Sequence, residues 1–232
     1  SDVCSSDLRH FMNKNYLILA LLLFCSLPSA RTYAASGDIP PEVVALTDSL
    51  KQKYAPDGRV ALFKTDYTFD GKRVMLRGET TSPSAKAELV EALSKAGYEV
   101  MDCLKVLPDE AALEGKTYGI INLSVASLRV QPDYSSEMMT QALLGMPVRV
   151  LERDGWYRIQ TPDDYIAWTH RVSVLPVTRE EMTAWNRAEK VVVTSHYAFV
   201  YSQPDRRSQT VSDIVAGNRL KLEGTKGGFY RV

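Results

Sequence analysis

The stretch QPDYSSEMMTQALLGMPVRVLERDGWYRI, residues 131–159, occurs a second time as QPDRRSQTVSDIVAGNRLKLEGTKGGFYRV, residues 203–232. Pro132 and Pro204 stand 72 positions apart, as do Gly145 and Gly217. Trp156 and Phe229 stand 73 apart, so the second copy has one extra residue in the turn before its aromatic strand. Apolar, glycine and aromatic positions held at a fixed offset mark an internal repeat. The period is too long, and the copies too few, for a solenoid. Two tandem small domains remain.

Within each copy, short apolar runs alternate with Gly, Pro and Asp punctuation, the pattern of an all-β module. In the first copy Val148 and Val150 flank Arg149, and Asp154-Gly155 supplies a hairpin-type turn because these residues tolerate positive φ. Trp156-Tyr157-Arg158-Ile159 forms the next strand, Thr161-Pro162-Asp163-Asp164 a further turn, and Tyr165-Ile166-Ala167-Trp168 a closing strand. With Ser127-Leu128-Arg129-Val130 and Gly145, these residues resemble the bacterial SH3 (SH3b) family of small β-barrels. The second copy opens at Ala198-Phe199-Val200-Tyr201 and reaches Val232, where the family pattern calls for one more turn and strand. The expectation there is a truncated barrel with an unpaired edge.

Working outward toward the N-terminus, residues 39–107 read as helix, strand, strand, helix, strand. Val43, Val44, Leu46, Leu50 and Tyr54 follow helical spacing after Pro40-Pro41, where proline suits a first turn. A strand is predicted from Arg59 to Thr68, and Asp70-Gly71 turns it into a second strand carrying Val74 and Leu76. Ser82 and Pro83 begin another helix, Gly97 stops it, and Tyr98 leads a third strand. This α+β unit resembles the BON family through Val74-Met75-Leu76-Arg77-Gly78-Glu79, Gly97-Tyr98 and Leu104-Lys105-Val106. The resemblance implies attachment to envelope surfaces, including envelope lipid. The loose scatter of Lys51, Lys53, Arg59, Lys64, Lys72 and Arg73 supports this only weakly and reads first as a solvated face.

Asn13-Lys14-Asn15, a dozen apolar residues, then Pro28 and small residues form a secretory signal peptide, residues 12–34. The apolar run is shorter than the ~20 residues of a spanning helix. Residues 1–11, ahead of Met12, read as a non-native leader. Acylation at Cys25 is disfavoured by the bulky Phe24 before it. The chain is thus expected to be exported, to periplasm or cell envelope. The remaining divisions are a first SH3b barrel at 117–176, a linker helix at 177–189 with Thr178 and Glu181 as a capping box, and a second barrel at 190–232. The fold class expected is mainly β with a small α+β N-terminal domain and two tandem SH3-like barrels, the second truncated.

The sequence offers little chemistry. Lys plus Arg and Asp plus Glu both total 28, so no nucleic-acid footprint is visible. With Cys4 and Cys25 in the leader, Cys103 stands alone in an apolar strand, where a small buried hydrophobe is the ordinary reading. His170 and His196 are not in a metal-ligand spacing, and no phosphate loop is present, so no catalytic residue, metal or cofactor is assigned. Asp163 and Asp164 are accounted for by their turn. Tyr134, Trp156, Tyr157, Tyr165 and Trp168 cluster in the first copy. Some must fill its core, and the rest either pack between barrels or form a shallow groove suited to short peptides or glycans.

The succession of signal peptide, small α/β domain, SH3b, short helix and second SH3b resembles the front half of secreted NlpC-type cell-wall cysteine peptidases. Ser124-Val125-Ala126-Ser127-Leu128-Arg129, Thr161-Pro162-Asp163-Asp164-Tyr165-Ile166-Ala167-Trp168, Val211-Ser212-Asp213-Ile214-Val215-Ala216-Gly217-Asn218 and Lys226-Gly227-Gly228-Phe229-Tyr230-Arg231-Val232 carry it. The resemblance implies γ-D-glutamyl-diamino-acid endopeptidase activity on peptidoglycan or muropeptides, with a catalytic Cys and His in a papain-like domain following the second barrel. It also implies a first barrel that walls the substrate cleft, with Tyr134, Ser135, Tyr165 and Trp168 as lining candidates. In that reading the chain holds targeting and gating modules and lacks chemistry of its own. The alternative is a non-enzymatic envelope-binding or peptidoglycan-binding SH3b protein.

Overall fold

The computed structural model describes residues 39–232. The expected leader and signal peptide lie outside the described residues.

The N-terminal unit begins with α1 (Pro41–Tyr54), entered through proline at its first turn. Val43, Thr47 and Leu50 are its buried face. Val44, expected on the apolar stripe, is exposed, because neighbouring helical residues are rotated by about 100°. Next come β1 (Phe63–Phe69), β2 (Arg73–Thr80), α2 (Pro83–Lys95) and β3 (Glu99–Val106). The first strand starts at Phe63 rather than Arg59. Residues 57–60 instead form a turn in which the Val60 amide donates to the Asp57 carbonyl and the Asp57 carboxylate accepts from the Arg59 amide and guanidinium. Ser82 caps α2 by accepting from the Ala85 amide at 3.1 Å, and Gly97 follows the helix at φ +90°. β2 pairs antiparallel with β1 and parallel with β3. Val43, Leu50, Val74, Leu76, Leu89 and Leu93 form the core between helices and sheet.

The first SH3-like unit contains β4 (Tyr118–Ile121), β5 (Val125–Arg129), β6 (Met138–Leu143), β7 (Pro147–Asp154), β8 (Trp156–Gln160), β9 (Ile166–His170) and β10 (Val174–Val177). Their order in the sheet is β10-β4-β7-β8-β9-β5-β6. β6 and β10 are edges, so the sheet is not the closed barrel expected. Ile121, Leu128, Val148, Val150, Tyr157, Ile159 and Ala167 form its core. A second small core of Leu62, Leu107, Leu151 and Ile166 fuses this unit to the N-terminal one. There the Ile166 amide donates to the Arg59 carbonyl at 2.7 Å.

Helix α3 (Arg179–Arg187) carries the expected capping box between Thr178 and Glu181. Met182 and Trp185 seat it on Tyr118, Ile120 and Val177. The second repeat follows as β11 (Lys190–Val192), β12 (Tyr197–Tyr201), β13 (Thr210–Val215), β14 (Arg219–Lys221), β15 (Gly224–Lys226) and β16 (Phe229–Arg231), paired in three two-stranded ribbons.

The repeat is written in hydrogen bonds as well as letters. Gly145 donates to Ile121, and Gly217 to Val193. Met146 donates to Leu143, and Asn218 to Val215. Gln131 donates to the Ser136 hydroxyl, and Gln203 to that of Ser208. Both copies have an irregular register at the same place, Leu128/Arg129 and Val200/Tyr201. Core residues of the first copy have counterparts that line an apolar cleft of about 520 Å³ in the second: Val200, Leu220, Tyr230 and Val232.

Candidate functional site

Strand alternation decides which side chains of the first SH3-like unit face outward. Along β8, Tyr157 and Ile159 enter the core, which turns Trp156, Arg158 and Gln160 to the other face. Along β9, Ala167 enters the core, which puts Trp168 and His170 on that same outer face. The antiparallel register then sets Trp156 opposite His170, and Arg158 opposite Trp168. The Thr169 hydroxyl ties β9 to the Ser127 carbonyl of β5 at 3.1 Å.

The loop between β5 and β6 brings Tyr134 to this face. The Asp133 carboxylate accepts from the Ser135 amide and the Ser135 hydroxyl, both at 2.7 Å, so residues 133–135 form a tight turn. Those bonds, the amide first, hold the Asp133 carboxyl below its ordinary range. Arg129 clamps the far side by donating to the Ser136 carbonyl at 2.6 Å. Tyr134 consequently meets Trp156 edge-on at 4.9 Å between ring centres and lies tilted on His170 at 5.5 Å. Trp156 and His170 meet at right angles, 5.3 Å apart. Each ring braces the other two, yet Tyr134 is 67% exposed.

Trp168 continues the face toward the N-terminal unit. The Arg158 guanidinium lies over its indole, 5.4 Å from the ring centre. Arg158 is 8% exposed and bonds Glu79 of β2 at 2.7 Å and Glu152 at 3.4 Å. The face thus runs from a mutually braced aromatic cluster with Tyr134 at its exposed tip to a nearly buried ion pair that bridges two units.

Of the four lining candidates, Tyr134 and Trp168 share this face. Ser135 serves it indirectly, through the turn that presents Tyr134. Tyr165 is half-buried at the opposite end of β9, beside Arg59 of the N-terminal unit. Trp156, Arg158 and His170 complete the face but were not among the candidates. The alternation of β8 and β9 was the signal for them, since it places 156, 158, 168 and 170 on one side. Cys103 lies on β3 of the N-terminal unit and is half-buried rather than fully buried. No group of three or more metal-ligating side chains gathers among the described residues. The arrangement can stack on sugar rings or flat peptide groups, and its Tyr and Trp tips can hydrogen-bond.

Comparison with known proteins places this face within a matched domain. Residues 128–171 match the family described as the bacterial dipeptidyl-peptidase Sh3 domain. Tyr134, Trp156, Arg158, Trp168 and His170 all fall inside that match. A 103-residue stretch is 26% identical to Dipeptidyl-peptidase 6 of Lysinibacillus sphaericus, spanning 44% of this chain and 38% of that protein. Similar solved structures include an NlpC/P60 family protein from Bacillus cereus ATCC 10987, with TM-score 0.40 and 22% identity over 50% of each chain. Another is an NlpC/P60 endopeptidase from Photobacterium damselae subsp. piscicida, with TM-score 0.40 and 16% identity over 53% of this chain and 30% of that one. No helix among the described residues is long and apolar enough to cross a membrane.

Proposed function

We propose that this chain is the substrate-gating region of an exported bacterial peptidase acting on muropeptides, with hydrolysis performed by a domain outside the described residues. The observation that supports this best is the cluster in which half-buried Trp156 and His170 brace the exposed Tyr134, all within the stretch matched to a bacterial peptidase SH3 domain. An exposed aromatic that its own fold holds rigid loses little entropy on binding, so it favours ligand stacking over further packing. In this reading the N-terminal αββαβ unit is BON-like and holds the region to an envelope surface. Its ion pair to Arg158 fixes the angle at which the aromatic face is presented.

The test is sedimentation of the full chain with purified, insoluble peptidoglycan, alongside Tyr134→Ala and Trp156→Ala. Retention of the parent chain in the pellet and about tenfold weaker retention of both variants is the expected result. Equal retention of all three would remove the aromatic face from the proposal. Soluble muropeptides incubated with the chain alone should remain uncleaved. Release of free L-Ala-γ-D-Glu would contradict the assignment of chemistry to another domain.

A further inference from the structure

We draw no further inference here: the strongest candidate, the apolar cleft of about 520 Å³ bordered by β12 and β16 of the second repeat, is the counterpart of the first repeat's core already described, and nothing in the structure shows what covers it.

Discussion

The Asn218 amide reaches across from the second repeat to the first, donating from Nδ2 to the Ser124 carbonyl at 2.9 Å. Its Oδ1 accepts from the Val215 amide at 2.9 Å, and the residue is wholly buried. Its counterpart in the first copy is Met146, so the polar group is peculiar to the position facing the other repeat. The Ser124 hydroxyl adds a bond to the Asp213 carboxylate at 2.7 Å. Replacing Asn218 with Ala takes the side-chain acceptor from the Val215 amide and leaves the Ser124 carbonyl with the long bond from the Leu144 amide, 3.4 Å. A loss of about 1–3 kcal/mol is expected in urea unfolding. Asn218→Met, which restores the repeat's own residue, should lose a similar amount, because it refills volume without supplying a donor. Recovery of full stability by the Met variant would show that packing, not the amide, joins the two units.

Gly145 and Gly155 separate two reasons for glycine. Both have positive φ, +80° and +67°. A Cβ on Gly155 would meet nothing, whereas one on Gly145 would stand 2.1 Å from the Arg219 carbonyl oxygen of the second repeat. Gly155→Ala should therefore cost about 1–2 kcal/mol, the conformational penalty alone. Gly145→Ala should cost more than about 3 kcal/mol and force the two repeats apart. Thermal unfolding of the two variants would check the ranking, and equal costs would mean that the turn yields without disturbing the interface.

Arg158 and Glu79 are nearly sequestered partners from different units, 8% and 20% exposed in their side chains. Removing Arg158 strands Glu79 with only Lys64, 3.5 Å away, and strips the cover from Trp168. A destabilisation of about 2–4 kcal/mol is expected for Arg158→Ala. Glu79→Gln keeps a hydrogen-bond acceptor and leaves Arg158 with Glu152, so it should cost less. A double-mutant cycle in denaturant reads the coupling directly. Coupling near zero would mean that the small core of Leu62, Leu107, Leu151 and Ile166 holds the two units without the ion pair.

What could be read from the sequence was what local chemistry controls. Ser82, Gly97, Thr178 and Glu181 mark helix ends because caps are chosen by neighbouring backbone groups. The repeat was legible because its turns need Gly145 and Gly217, and its loops need Asp133 and Asp205. The first strand was placed too early because Val60 and Leu62 alternate as strand residues do, while the Asp57–Arg59 contact that holds the turn has no pattern of its own. The candidate site was half legible. Tyr134 and Trp168 stood out as aromatics, but Trp156 against His170 depends on the register of β8 with β9. Arg158 with Glu79 depends on two units meeting across 79 positions of sequence. Those relationships exist only after the chain has folded.

Acid should release the loop that presents Tyr134 at a pH set by Asp133. Its carboxylate accepts the Ser135 amide and hydroxyl, which depress its pKa from the ordinary 3.8. A depressed carboxyl contributes its stabilisation in full above the unfolded value, and the contribution disappears as pH falls through the folded value. The loop therefore stays intact through neutral and mildly acidic conditions and loosens only below 3.8. In the second copy Asp205 does the same work with the Arg207 guanidinium as its first partner and the Arg207 amide as its second. Titration of the Ser135 and Arg207 amide proton shifts by NMR should show each moving with a midpoint under 3.8, Asp133 and Asp205 being the respective sources. Asp133→Asn should abolish the Ser135 transition and leave that of Arg207 in place. A Ser135 midpoint at or above the ordinary carboxylate value would mean that the Asp133 turn is not what holds Tyr134 against Trp156.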